Sequence, residues 1–184
     1  MRQALELHPD STCSAATRIE VLITRPRLDN LVLHYFVIGK IDDLCLPPAG
    51  TPQRKDGLWQ HTCFEAFVCP EPGAAYYEFN FAPSMEWAAY QFNGYRSGMR
   101  IVNEISAPRI EAQSADAGYH LLASLELGGL PGSYEDVNWL IGASAILEET
   151  GGRKSCWALT HPPGEADFHH TDCFTHKLTA ADRQ

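Results

Sequence analysis

The chain has 184 residues, of which 45% are apolar, enough for one domain with a substantial core. Fourteen Lys and Arg stand against 23 Asp and Glu, a formal charge of −9 with His neutral, which argues against nucleic acid and anionic membranes as partners, because both are held by basic patches. No apolar run approaches the ~20 residues of a membrane span, and residues 1–20 lack the apolar stretch and cleavage site of a signal peptide. The expectation is a single cytoplasmic domain over 1–184.

Strand patterns follow one another along the chain. "TRIEVLITR" alternates Ile19, Val21 and Ile23 with polar or smaller neighbours, and "NLVLHYFVIG" is an apolar run of strand length ended by Gly39. A long loop of turn formers, "DDLCLPPAGTPQRKDG", comes next. "LWQHTCFEAFV" and "AAYYEFNFAP", joined by the turn "CPEPG", read as a hairpin. "EWAAYQF" is the next strand, and "NGYRSGM" is a turn by its Asn93-Gly94 pair.

"APRIEAQSADAGYHLLASLEL" holds two strands around "ADAG", and "LGGLPGSYED" is a Gly/Pro loop with room for one helical turn. "VNWLIGASAILEE" fits a helix, but Ile141, Ala143, Ala145 and Leu147 also alternate, and the Gly151-Gly152 turn before "KSCWALTH" favours a further hairpin. "CFTHKL" is the last strand. About ten strands with turns between them and no clear amphipathic helix predict an all-β fold, an antiparallel β-sandwich, with a closed barrel as the alternative.

Alternation assigns the faces of the central hairpin. Phe64, Ala66 and Val68 on one strand, with Tyr77, Phe79 and Phe81 on the other, belong in the core. The complementary sets are Trp59, His61, Cys63 and Glu65, and Tyr76, Glu78 and Asn80. A solvated sheet face is ordinary in an antiparallel sheet. This one has no Lys or Arg but carries aromatic rings, carboxylates and an amide. Rings stack on the C–H faces of sugars while Glu and Asn bind hydroxyls, so the face suits a carbohydrate or another polar small molecule.

"CWALTHPPGEADFHHTDCF" gathers Trp157, His161, His169, His170 and Cys173. His61, His161 and one of His169 and His170 have the chemistry to meet on a metal with a carboxylate, but no HExxH or HxH spacing supports one. The plainer reading of His169-His170 is a loop in which one imidazole caps the backbone and the other faces water. Glu65 and Glu78 are candidates for acid/base work on a glycosidic bond. Cys63 is a candidate nucleophile, set against the plainer reading of a buried structural thiol. None of the six cysteines forms a CxxC pair, so reduced thiols are expected. No GxSxG elbow, P-loop or dinucleotide fingerprint is present.

Taken together, "LWQHTCFEAFV", "YYEFNFAPSMEWAAY", "GYRSGM" and "WALTHPPGEADFHHTDCF" resemble the bacterial DOMON-like proteins, which are similar to family 9 carbohydrate-binding modules. The resemblance runs from about Arg18 to Leu178. It rests on Phe64, Glu65 and Phe67, on Asn80, Phe81, Pro83 and Ser84, on Trp87, and on Phe168 with His169. It implies a sandwich of jelly-roll or immunoglobulin-like type with a ligand site on a sheet face or at the strand ends, for sugar or haem, and in the carbohydrate-binding members a structural calcium. By the same resemblance Trp59, Trp87 or Trp157 would be sugar platforms, and Met85 and Met99 are haem-ligand candidates. Sugar-binding modules of this type are normally exported and tethered to a catalytic domain; a lone domain without an export signal departs from that pattern, which leaves open a cytosolic role on a small sugar or sugar conjugate, or an enzymatic role served by the polar face.

The leading expectation is a small-molecule-binding sandwich that contacts a carbohydrate-like polyol through Trp59, His61, Glu65, Tyr76, Glu78, Asn80, Trp87, His161 and His169. The alternative is a hydrolase or lyase on a sugar-like substrate, using His61 or His169 with Glu65 or Glu78, with or without a metal. An assembly protein with aromatics at a subunit interface is the third reading.

Overall fold

The structure is a computed structural model, and it describes residues 1–115, 118–130 and 137–179. The turn expected at 115–118 and the helical turn expected within 127–136 fall in part outside that set. The strands are β1 (Gln3–Leu7), β2 (Ala16–Arg27), β3 (Asn30–Gly39), β4 (Gln53–Arg54), β5 (Cys63–Pro70), β6 (Tyr76–Phe81), β7 (Glu86–Phe92), β8 (Arg100–Ile101), β9 (Arg109–Ala115), β10 (Gly118–Glu126), β11 (Trp139–Glu148), β12 (Lys154–Ala158) and β13 (His176–Leu178). The only helical elements among the described residues are short 3-10 turns. The segment that fits either a helix or a strand is therefore strand β11.

The ladder order is β4-β7-β6-β5-β11-β12-β1-β2-β3-β10-β9, with β13 on β11 and β8 on β7. β1 is the corner: Gln3 to Leu5 pair with β2, while Glu6 and Leu7 pair with β12. The two halves fold face to face about this strand. Among the described residues no ladder joins β9 to β4, so the structure is an open sandwich and not a closed barrel. Every pairing is antiparallel except β4 with β7, a small departure from the purely antiparallel expectation.

Alternation builds the core. Leu31, Leu33, Tyr35 and Val37 of β3 and Tyr119, Leu121, Ala123 and Leu125 of β10 meet Phe64, Ala66 and Val68 of β5 and Phe79 and Phe81 of β6. The Tyr35 ring lies 5.0 Å from that of Phe64, and its hydroxyl donates to the Glu65 carbonyl at 2.7 Å. This bond spans the two halves beneath the carboxylate face. Tyr35→Phe is expected to cost about 1 kcal/mol, read from the urea midpoint, since the carbonyl loses a buried partner. An unchanged midpoint would show that the bond adds nothing.

The other face of β5 to β7 is not solvated. Cys63, Phe67, Tyr76, Tyr90 and Phe92 form a second apolar cluster with Leu58, Phe168, Cys173 and Phe174. Two pieces cover it: the 3-10 turn Leu58–Gln60, which contacts β5, β6 and β7, and the segment 168–174. Gly142 in β11 allows the second to lie flat, because a Cβ there would fall 2.8 Å from the Phe174 ring. The covering segment 168–174, 76 to 111 residues from β5, β6 and β7 in sequence (168−92 and 174−63), is invisible to strand periodicity.

Candidate functional site

Five of the nine residues singled out from the sequence come together under this cover. Glu65 stands opposite Asn80 across β5 and β6, and Glu78 opposite Phe67. Glu65, Glu78, Asn80 and Tyr76 are all buried. His169 completes the group: its ring packs edge-on against Phe67, Tyr76 and Phe92, its Nδ1 lies 2.9 Å from the Tyr76 hydroxyl, and its Nε2 lies 3.6 Å from Glu78 Oε2.

The network fixes the protons. The Arg96 backbone N–H donates to the Tyr76 hydroxyl at 3.2 Å. That hydroxyl is then free to donate to His169 Nδ1, which leaves the imidazole proton on Nε2, facing Glu78. Burial, followed by the Arg96 charge, holds the His169 pKa down at about 4, so the ring is neutral near pH 7. Burial also pushes both carboxyls up. For Glu65 the neighbouring Glu78 charge adds to it, and for Glu78 the Asn80 bond and Arg96 only partly offset it.

Linked to this group by the Arg96 N–H on Tyr76 and by Asp167 on the His169 N–H is a cleft of about 600 Å³, bounded by Tyr95, Arg96, Pro162, Asp167, His170 and Asp172 among others and not by the buried carboxyls themselves. Its lintel is an ion pair, Arg96 Nη2 to Asp167 Oδ1 at 2.7 Å. The Tyr95 hydroxyl also donates to Asp167, and the His169 N–H donates to the same carboxylate at 3.1 Å. Burial pulls the Asp167 pKa upward, but the Tyr95 and Arg96 bonds outweigh it and hold the carboxylate below its ordinary range. Tyr95 is 56% exposed, so its ring is free to stack.

The remaining expected residues lie elsewhere. Trp59 is not on the strand: it belongs to the 3-10 turn and is 52% exposed, at the rim of the covered face. His61 follows that turn and pairs with Glu148 at 2.7 Å. Among the described residues His61 shares no metal-holding group with the 161–170 stretch, and its ring pairs with Glu148 instead. His161 bonds the Glu6 carbonyl at 2.9 Å and stacks edge-on with His8. Trp87 packs in the central core beneath Arg54 and faces away from Glu78, because in β7 it is Ala88 and Tyr90 that stand opposite Asn80 and Glu78.

Among the described residues, no three His, Cys, Asp or Glu side chains are gathered so as to hold a metal ion. The triad of His61, His161 and His169 or His170 does not assemble, and the calcium implied by the resemblance finds no acidic cradle there. Burial and the Glu65 charge push the Cys63 thiol well above its ordinary value, and burial pushes Cys173 up to about 12. Both are inert thiols, which removes Cys63 as a nucleophile.

Sequence reasoning missed Tyr95, Arg96, Asp167 and Ser144. The only local signal was the turn "NGYRSG", in which Arg96 takes a positive φ of 49°, and Asp167 placed two residues before His169 to cap its N–H.

No protein-family model matches the chain, and no curated protein matches it. Solved structures of the same fold do. A candidate carbohydrate-binding protein from Bacteroides uniformis ATCC 8492 superposes with a TM-score of 0.67 at 14% identity, covering 97% of this chain and 85% of its own. A family 9 carbohydrate-binding module from Caldicellulosiruptor kristjanssonii, solved in complex with cellotriose, gives 0.56 at 12% identity, covering 97% and 81%. The fold of this chain is thus the sandwich of carbohydrate-binding proteins, including a family 9 module.

Proposed function

We propose that the protein is a DOMON-like, family-9-related module that binds a carbohydrate or similar polyol in the cleft at Tyr95, Arg96 and Asp167, against the acceptors behind it. The observation that carries this reading is the polar cleft itself, backed by a buried group rich in acceptors. Glu65 has Ser144 Oγ at 3.3 Å, Glu78 has Asn80 Nδ2 at 2.8 Å, and the buried Asn80 Oδ1 has no partner. A carboxylate offers about four lone-pair sites, and no Lys or Arg side chain among the described residues pairs with either Glu. A polyol supplies hydroxyl donors and acceptors for the polar groups that do line the cleft, Arg96, Asp167, His170 and Asp172. The exposed Tyr95 ring supplies a stacking face, and the cleft lies within the ~300–1,000 Å³ range of small-molecule sites. The sugar complex of a similarly folded module supports the same reading.

Titration calorimetry with glucose, cellobiose and a panel of other mono- and oligosaccharides tests it. At least one is expected to bind, with Tyr95→Ala and Arg96→Ala each weakening it by about tenfold or more, roughly 1.4 kcal/mol, in folded protein. Wild-type affinity in both variants, or silence across the panel, would remove the proposal. Trp59→Ala reports whether the rim turn also touches the ligand.

A further inference from the structure

The opposite face of the molecule carries a second group that the sugar reading leaves unused. On the outer surface of the first half, β9, β10 and β3 set Glu111, Leu122 and His34 in one row and Gln113, His120 and Phe36 in the next. The rings of His34 and His120 are 5.6 Å apart at 60°. Both are held by Phe36, at 4.0 and 4.9 Å, and Arg2 caps the Phe36 ring from 3.5 Å. Among the described residues neither imidazole makes a hydrogen bond to the protein. Both rings line a cleft of about 480 Å³ that Met85 also lines. Met85 takes its φ of 70° as the left-handed residue of the β6–β7 hairpin turn.

We propose that this cleft is a copper site, in which His34 and His120 supply two imidazole nitrogens and Met85 a thioether. The spacing fits one ion. A nitrogen ~2.0–2.1 Å from the metal puts its ring centroid about 3.2 Å away, so two rings on one ion at near-tetrahedral to trigonal angles stand about 5.2–5.5 Å apart. The soft thioether selects copper, Cu(I) above all, over zinc. Glu111 is held 2.5 Å from Arg109 and leaves the soft set undisturbed.

The test is an anaerobic Cu(I) titration of the full chain against a chromophoric competitor, with Zn²⁺ run in parallel. Half-buried thiols at Cys13, Cys45 and Cys156 also attract Cu(I), so the readout is a difference. Wild type is expected to take up one more equivalent than His34→Ala or His120→Ala. Met85→Leu should weaken that equivalent at least tenfold for Cu(I) while leaving Zn²⁺ unchanged. Circular dichroism of the metal-free variants confirms folding, and His120→Gln replaces any alanine variant that fails it. Equal uptake in wild type and the His variants would assign the copper to thiols and overturn the site. A Met85→Leu variant with wild-type Cu(I) affinity would overturn the copper assignment.

Discussion

Replacing Trp139 with alanine is expected to cost the fold about 3–5 kcal/mol, the range for deleting a large buried aromatic, and to lower the melting temperature by roughly 10 °C in a chain of this length. Trp139 opens β11 and is wholly buried. It pairs with Pro70 of β5 on one side and Leu178 of β13 on the other, so one side chain supports three strands. Arg25 lies over its ring at 3.7 Å. That guanidinium is itself buried, donating from Nε and Nη2 to the Leu28 carbonyl at 3.0 and 2.7 Å and from Nη1 to the Val137 carbonyl at 3.0 Å. Removing the indole leaves a cavity and strips the cation of its π face, two losses in one substitution. Trp139→Phe keeps an aromatic face under Arg25 and should lose clearly less. A denaturant midpoint showing under ~1 kcal/mol for the alanine variant would mean that this end of the sandwich collapses around the gap.

Where turn residues bracket an alternating run, the sequence and the structure agree to the residue. β3 ends at Gly39 and β7 runs into Asn93-Gly94. Alternation fails at the start of β5 for a local reason. Gly57 takes a φ of 72° and turns the chain into a 3-10 turn, so Trp59 and His61 continue the spacing of Cys63 and Glu65 without sharing their face. β1 has a weak pattern and gains its place only by pairing with β2 and β12, and β4 and β8 are two residues each. The polar face was legible as Tyr76, Glu78, Asn80 and Glu65, since period two fixes it. Its cover was not. Every residue from Cys63 to Cys69 is buried, and which of the two faces meets the other sheet and which meets segment 168–174 depends on contacts made across the whole chain. For the same reason Arg96 and Asp167, 71 residues apart, become a pair only once the fold is known.

The buried carboxyls make stability fall as pH rises above their unfolded value of about 4.3, and Glu65→Gln is expected to remove much of that fall. Glu65 and Glu78 have folded pKa values raised above their unfolded ones, chiefly by burial. Below the unfolded value, about 4.3, each is protonated in both states and costs nothing. As pH climbs from there toward the folded value, the unfolded chain ionises first and stability is lost. His169 runs the other way. With its folded value near 4 and an unfolded value of about 6.5, it takes stability away as pH falls through that window, and the lowered His34 and His161 act in the same direction. The two trends oppose each other below pH 6.5. Above it the imidazoles are neutral in both states, and toward pH 8.5 the raised thiols of Cys63, Cys69, Cys156 and Cys173 add a loss of their own. Glutamine at position 65 carries no charge to desolvate, and its amide gives Asn80 Oδ1, directly opposite, a donor that it lacks. Thermal midpoints taken from pH 4.5 to 7.5 should therefore show the variant gaining on wild type as pH rises, and the variant should be the more stable of the two at pH 7.5. A midpoint difference between variant and wild type that does not change with pH would show that Glu65 is ionised at little cost. If it is more stable but binds sugar less well, the same carboxylate that strains the fold is one the ligand uses, the exchange of stability for function expected at a built site.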